Sequence, residues 1–116
     1  METLIDMTVL PGPNDYAEWA YRGSGVEGYW ADFAEFLQDY WTTRSLITSR
    51  LPLYKEFALG AVFTGMAQGR EPENYAYIAH CLDKGFWENY LSRCYVSPEV
   101  RETVAGLARR YKLGIV

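Results

Sequence analysis

A single histidine, His80, is the only side chain in the sequence that could act as the base of a Ser-His-Asp or Cys-His arrangement. Cys81 is its neighbour in sequence, but adjacent residues on a helix diverge rather than face each other. The other cysteine, Cys94, lies thirteen positions further on, and this spacing matches no zinc-ligand pattern. These residues predict a packed or surface histidine and two reduced thiols.

Three carboxylates could in principle bind a divalent cation. Asp32, Glu35 and Asp39 are three and four positions apart, so they share one edge of a predicted helix. No glycine-rich loop or further carboxylate near them completes a coordination shell. The pattern favours a solvated acidic face, with a cation site as the alternative.

The strongest local anomaly is a run of aromatic residues followed by an arginine. Aromatic side chains dominate both cores and interfaces, because each buries a large area. The run predicts either the wall of an apolar substrate pocket or docking surface, or a helix in the middle of a bundle. Arg44 and Arg50 flank short stretches of Thr and Ser and could bind an anion, with simple surface solvation as the alternative. The candidate pocket residues are Tyr29, Trp30, Phe33, Phe36, Tyr40, Trp41 and Arg44.

Helical spacing organises the first half of the chain. A short helix is predicted from Asp15 to Tyr21, and a stronger one from about Val26 to Trp41, where apolar residues recur every three or four positions. Pro52 suits the first turn of a further helix that ends at Gly69. Two glycines inside that helix lower its intrinsic stability, and close approach of another helix is the expected compensation.

The second half of the sequence is also predicted to be helical, except for its last residues. A helix is predicted from Pro72 to about Tyr95, with an interruption at Gly85. Ser97 is a good N-cap for the last helix, and Pro98 fits its first turn. The apolar residues 113–116 then predict the start of a buried parallel strand.

Composition narrows the class of protein. The chain has 116 residues, 49% of them hydrophobic, which is enough for one domain with a real core. Its net charge of −4 argues against nucleic-acid binding. No apolar run approaches the length needed to span a bilayer, and the first residues do not form a signal peptide. We therefore expect a cytoplasmic protein with no nucleic-acid or membrane partner.

The two ends of the chain together resemble the haloacid dehalogenase (HAD) superfamily of hydrolases. Residues 2–6, Glu-Thr-Leu-Ile-Asp, look like the tail of the family's first motif. Residues 98–116 look like the helix and strand that return to the core before the second motif. The helices between them are similar in length and placement to the family's α-helical cap.

The resemblance also shows which catalytic parts the sequence does not contain. Aligned on Thr3, the family's nucleophilic aspartate would fall two positions before Met1, and Met1 would occupy the position of the second aspartate. The Ser or Thr of the second motif would follow Val116. Only Thr3 carries over, so the 116 residues alone are not expected to catalyse the family reaction. The resemblance implies Mg²⁺ for a complete parent enzyme and no cofactor in this chain.

The predicted fold is mainly α: a helical bundle like a HAD cap, whose C-terminal helix leads into one short strand of an incomplete α/β core. The predicted divisions are 1–12 (core remnant), 13–96 (cap-like domain) and 97–116 (core helix and strand). The leading functional hypothesis is the substrate-selecting cap of a HAD-like phosphatase or dehalogenase acting on a small molecule, which associates with the missing core. The alternative is a stand-alone helical protein that binds a small ligand or forms a homodimer.

Overall fold

A computed structural model of the chain describes residues 5–53 and 55–114. It is mainly helical, which confirms the predicted class. The chain forms two compact units, one of residues 11–91 and one of residues 1–10 with 92–116. The elements are β1 (Asp6–Met7), α1 (Asp15–Tyr21), a 3₁₀ turn (Glu27–Tyr29), α2 (Phe33–Ser49), α3 (Leu59–Arg70), α4 (Tyr75–Ser92), β2 (Cys94–Tyr95) and α5 (Pro98–Ala108).

Helix α2 begins later than the aromatic periodicity predicts. Asp32 is its N-cap and accepts a hydrogen bond from the backbone N–H of Glu35 at 2.9 Å. The Glu35 carboxylate in turn accepts from the backbone N–H of Ala31, one residue before the N-cap, in a variant of the capping box. Trp30 is extended at φ −120° and ψ 149°, so the predicted helix from Val26 is wrong over its first turns.

Helix α3 also begins later than predicted, at Leu59 rather than Pro52. Pro52 follows Leu51, which has no side-chain acceptor to cap a helix, so the proline alone does not start one. The predicted close approach is present at Gly65, where an added Cβ would lie 2.9 Å from Thr43 Cγ2. This contact brings α3 close to α2.

Helix α4 runs through Gly85 without the predicted interruption. An added Cβ at Gly85 would lie 3.1 Å from the carbonyl oxygen of Ala20 at the end of α1. The glycine therefore permits close packing of α1 on α4 rather than breaking the helix. The core of this unit includes the fully buried side chains Val26, Phe36, Tyr40, Val62, Phe63, Met66, Ile78 and Leu82.

The smaller unit contains the two short strands and α5. Strands β1 and β2 pair antiparallel, with Asp6 opposite Tyr95 and Met7 opposite Cys94. The backbone N–H of Thr8 extends the pairing by donating to the carbonyl of Arg93 at 3.0 Å. The described strands thus form an antiparallel pair, and neither of them includes residues 113–116, where the parallel strand is predicted.

The start of α5 is as predicted. Ser97 is its N-cap and accepts from the backbone N–H of Val100 at 3.3 Å, with Pro98 in the first turn. Beyond the helix, Leu113 and Gly114 lie in no strand, while residues 115–116 of the predicted strand are outside the described part of the chain. Thr3 also lies outside it. No helix among the described residues combines the length and apolarity needed to cross a membrane.

Candidate functional site

The structure places most of the predicted pocket aromatics in or against the core. Trp30, Phe36 and Tyr40 are 3%, 0% and 0% exposed. Helix α2 contacts both α1 and α3, so it must bury side chains on more than one side. Phe33 and Trp41 are half-buried, and Tyr29 is exposed. For these three buried rings, the structure supports a helix in the middle of a bundle rather than the wall of a substrate pocket.

These rings contact one another at the end of α1. The ring of Phe36 lies 4.8 Å from that of Trp30 and 4.9 Å from that of Tyr21, measured between centroids. Phe33 extends the group and lies 5.4 Å from Tyr21. A second aromatic group joins α1 to α4, and it includes Tyr16, Trp19, Phe86 and Tyr90. Both groups explain the high aromatic content by packing.

The acidic edge of α2 is an ion-pair network rather than a solvated face. Arg70 on α3 donates to Glu35 at 3.0 Å and to Asp39 at 3.3 Å. Asp39 also accepts from the indole N–H of Trp30 at 2.9 Å, and the Arg70 guanidinium lies over the Trp30 ring. We call these four residues the Arg70 network. It uses the carboxylates that a cation would need, and the described residues contain no cluster of three or more His, Cys, Asp or Glu side chains able to hold a metal.

The network also perturbs a carboxyl group. The hydrogen bond from the backbone N–H of Ala31, followed by that from Arg70, holds the pKa of Glu35 below its ordinary value. Both interactions favour the ionised form. Glu35 therefore acts as a charged structural residue at the start of α2.

Arg44, the last of the predicted site residues, has a different environment. Its guanidinium carbon lies 5.2 Å from the Trp41 ring and 5.6 Å from the Phe57 ring, and Nη1 donates to the Tyr40 hydroxyl at 3.1 Å. Trp41 is itself oriented by a 2.9 Å hydrogen bond from its indole N–H to Asn14 Oδ1. The guanidinium is thus held by rings and a hydroxyl.

Arg44 lies on the wall of a cleft of about 350 Å³, within the usual size range of small-molecule sites. The cleft is formed by α1, α2, the segment between α2 and α3, and the first residue of α3. We call it the Arg44 cleft. Its lining consists of Tyr16, Arg44, Thr48, Lys55, Glu56, Phe57 and Leu59.

The cleft contains two cationic side chains that are not neutralised by the protein. Among the described residues, neither Arg44 nor Lys55 forms an ion pair with a carboxylate. Glu56 lines the same cleft and is the one acidic residue of its lining. An arginine guanidinium keeps several N–H donors in a planar fork after one is used by a hydroxyl. The arrangement can bind an anion.

Sequence reasoning identified Arg44 but not the residues around it. Phe57 and Lys55 belong to a segment predicted as helix, and Tyr16 comes from a different element. No spacing rule connects positions 16, 44 and 57. The Asp32–Glu35 spacing, typical of a capping box, was the available signal for the true start of α2.

The histidine and cysteines remain apart from this cleft. His80 is exposed on α4, and lines a shallow depression together with Thr64 and Asp83. Cys81 and Cys94 are both half-buried. A hydrogen bond with Cys81 raises the pKa of the Tyr77 hydroxyl. These contacts do not assemble a nucleophile with a base.

Comparison with known proteins does not assign the chain to a family. No protein-family model, curated protein or solved structure matches the chain. The functional conclusion therefore depends on the Arg44 cleft itself.

Proposed function

We propose that the helical unit of residues 11–91 is a binding module for a small organic anion, which it holds in the Arg44 cleft. The observation that carries the proposal is an arginine fixed by Trp41, Phe57 and Tyr40, with no carboxylate partner among the described residues. Fixing the guanidinium before the ligand arrives reduces the entropy lost on binding.

The rest of the lining fits such a ligand. Lys55 adds a second positive charge, and Thr48 adds a hydroxyl. Phe57, Leu59 and Tyr16 supply apolar surface for the remainder of the molecule. A mostly apolar pocket with a few polar groups that fix orientation is the common form of a small-molecule site.

Trp41 supplies the means to test this. Its ring lies next to the Arg44 guanidinium, so a ligand on that guanidinium changes the environment of the indole. We expect phenylacetate or phenyl phosphate to change the tryptophan fluorescence saturably, and benzylamine, of opposite charge, to have no such effect. Isothermal titration calorimetry measures the same affinities without the fluorophore.

The matched variants are Arg44→Gln and Arg22→Gln. Arg22 also lies over a ring, that of Phe33 at 5.1 Å, but is paired with Glu18 away from the cleft. Arg44→Gln should weaken anion binding at least tenfold, while Arg22→Gln should leave it unchanged. Equal affinities for the wild-type protein and Arg44→Gln would refute the proposal.

A second candidate is the substrate-selecting cap of a HAD-like hydrolase. What supports it is the path of the chain, which leaves the smaller unit after Leu10 and rejoins it at Ser92, as an inserted module would. An anion-binding cleft also suits a domain that selects substrate. The binding module is the stronger conclusion, because it is argued from contacts among the described residues, whereas Thr3 and residues 115–116 of the cap hypothesis lie outside them.

The flanking coding sequence tests this second candidate. It should encode an upstream apolar strand that ends in Asp, and a downstream Ser or Thr followed by Asn. Stop codons with no such residues in any frame would refute the cap hypothesis, and leave the binding module unaffected.

A further inference from the structure

We propose that the Arg44 cleft selects monocarboxylates that carry an apolar or aromatic group, in preference to phosphate esters. This inference rests on the proposed anion-binding function and adds the chemical class of the ligand. It depends on three properties of the lining: the open edge of one guanidinium, the net charge, and the apolar walls.

The first property is the edge of the Arg44 guanidinium. The Trp41 and Phe57 rings lie 5.2 and 5.6 Å from its carbon, and the Tyr40 hydroxyl accepts from Nη1. The donors that remain lie in the plane of the guanidinium, where two parallel hydrogen bonds fit the two oxygens of a carboxylate. A single fork of this kind matches the two oxygens of a carboxylate, whereas the third oxygen of a phosphate ester lies outside the fork.

The second property is the charge of the lining. Arg44 and Lys55 are cationic and Glu56 is anionic, which leaves one net positive charge in the cleft. A monocarboxylate neutralises this charge. A phosphate monoester carries nearly two negative charges at pH 8, so one of them would remain unbalanced by these lining residues.

The third property is the apolar part of the lining. Tyr16, Phe57 and Leu59 come from three different segments and line the same cleft of about 350 Å³. This volume is larger than a free acetate or inorganic phosphate ion requires, so a ligand with its own apolar group fills it better. Burial of that group provides the non-directional part of the affinity.

The experiment compares phenylacetate with phenyl phosphate at pH 8 by isothermal titration calorimetry on the full chain. The two probes share the ring and differ in the anion. We expect the wild-type protein to bind phenylacetate more tightly. Glu56→Gln should shift the ratio of the two affinities about fivefold towards phenyl phosphate, because it removes the charge that opposes a dianion.

Glu73→Gln is the matched control, since it changes the net charge equally at an exposed residue that does not line the cleft. Circular dichroism verifies that both variants remain folded. If the wild-type protein binds phenyl phosphate as tightly as phenylacetate, or if Glu56→Gln shifts the ratio no more than Glu73→Gln, the monocarboxylate preference is overturned while anion binding stands. If the folded wild-type protein binds neither probe, the proposed function is overturned as well.

Discussion

Two arginines of the helical unit lie over tryptophan rings but have opposite electrostatic surroundings. Arg70 lies 5.7 Å from Trp30 and pairs with Glu35 and Asp39. Arg44 lies 5.2 Å from Trp41 and, within the described part of the chain, pairs with no carboxylate. The acidic neighbours of a stacked arginine therefore decide its role. With carboxylates beside it the arginine is structural, and without them it is available for a ligand, whichever ring it lies over.

The difference has a cause in the sequence of α2. Its first two turns carry Glu35 and Asp39, whereas the turn around Arg44 carries Thr43, Ser45 and Thr48 instead of carboxylates. Arg70 extends from α3 to the acidic turns and joins the two helices. Arg44 projects from the turn without acids, and it forms no ion pair within the described residues.

The largest expected effect compares a core ring with a cleft ring. Phe36 is fully buried beside the Arg70 network, so Phe36→Ala should lower the free energy of unfolding by about 3–5 kcal/mol. Phe57→Ala should cost much less stability, because Phe57 is half-buried, but it should weaken anion binding. Urea denaturation followed by circular dichroism measures the first effect. A larger loss of stability in Phe57→Ala than in Phe36→Ala would contradict the assignment of the two rings.

The next effect compares the arginines directly. Arg70→Gln removes the ion pairs with Glu35 and Asp39 and the cation over the Trp30 ring, and should lower the free energy of unfolding by about 1 kcal/mol. Arg44→Gln removes contacts with two rings and one hydroxyl, and should cost about 0.5 kcal/mol. Urea denaturation of both variants provides the comparison. Equal losses would show that Arg44 is also a structural arginine.

A smaller effect concerns how α2 and α3 begin. Asp32 caps α2 with its side chain, whereas Ala58, the N-cap of α3, has no side-chain hydrogen bond to the helix. Ala58→Ser should therefore raise the free energy of unfolding by about 0.5–1 kcal/mol. Ala105→Ser, in the exposed interior of α5, is the control, and should lower stability slightly. A stabilisation of similar size in both variants would exclude capping as the cause.

The smallest effect is a dependence on pH. The pKa of Glu35 is lower in the folded protein than its ordinary value of 4.5. The stability that this carboxylate contributes is thus fully present above about pH 4.5, and is lost as the pH falls through the lowered pKa. Glu35→Gln should make the fall in stability between pH 5 and 3 shallower, as measured by thermal unfolding. An unchanged slope would show that the network does not depend on this charge.

The beginning of a helix could be predicted from the sequence where two signals coincided. Ser97 supplies a capping oxygen and Pro98 a preset first turn, and α5 begins there. Pro52 supplies the same proline signal after Leu51, which cannot cap, and no helix begins there. A proline permits a first turn, but an acceptor for the free N–H groups is needed to fix its position.

Less of the candidate site than of the fold could be predicted from the sequence. Arg44 could be singled out by its type and neighbours, but the aromatic run before it contributes chiefly to the core. Helical periodicity identifies which residues share a face, and gives no information on which face is covered by another helix. Lys55 and Phe57 reach the cleft because residues 55–58 are not helical, which depends on tertiary packing.

The strand pair β1–β2 also has a use in protein engineering. The N–H of Thr8 and the carbonyl of Arg93 are 3.0 Å apart, so the connections that lead into and out of residues 11–91 begin side by side. A segment whose two ends are adjacent can replace a surface turn of a host protein with little strain. Residues 8–93, whose two ends are these paired positions, are therefore suited to insertion into a fluorescent reporter, where the anion binding proposed for the Arg44 cleft would be read as a change in fluorescence.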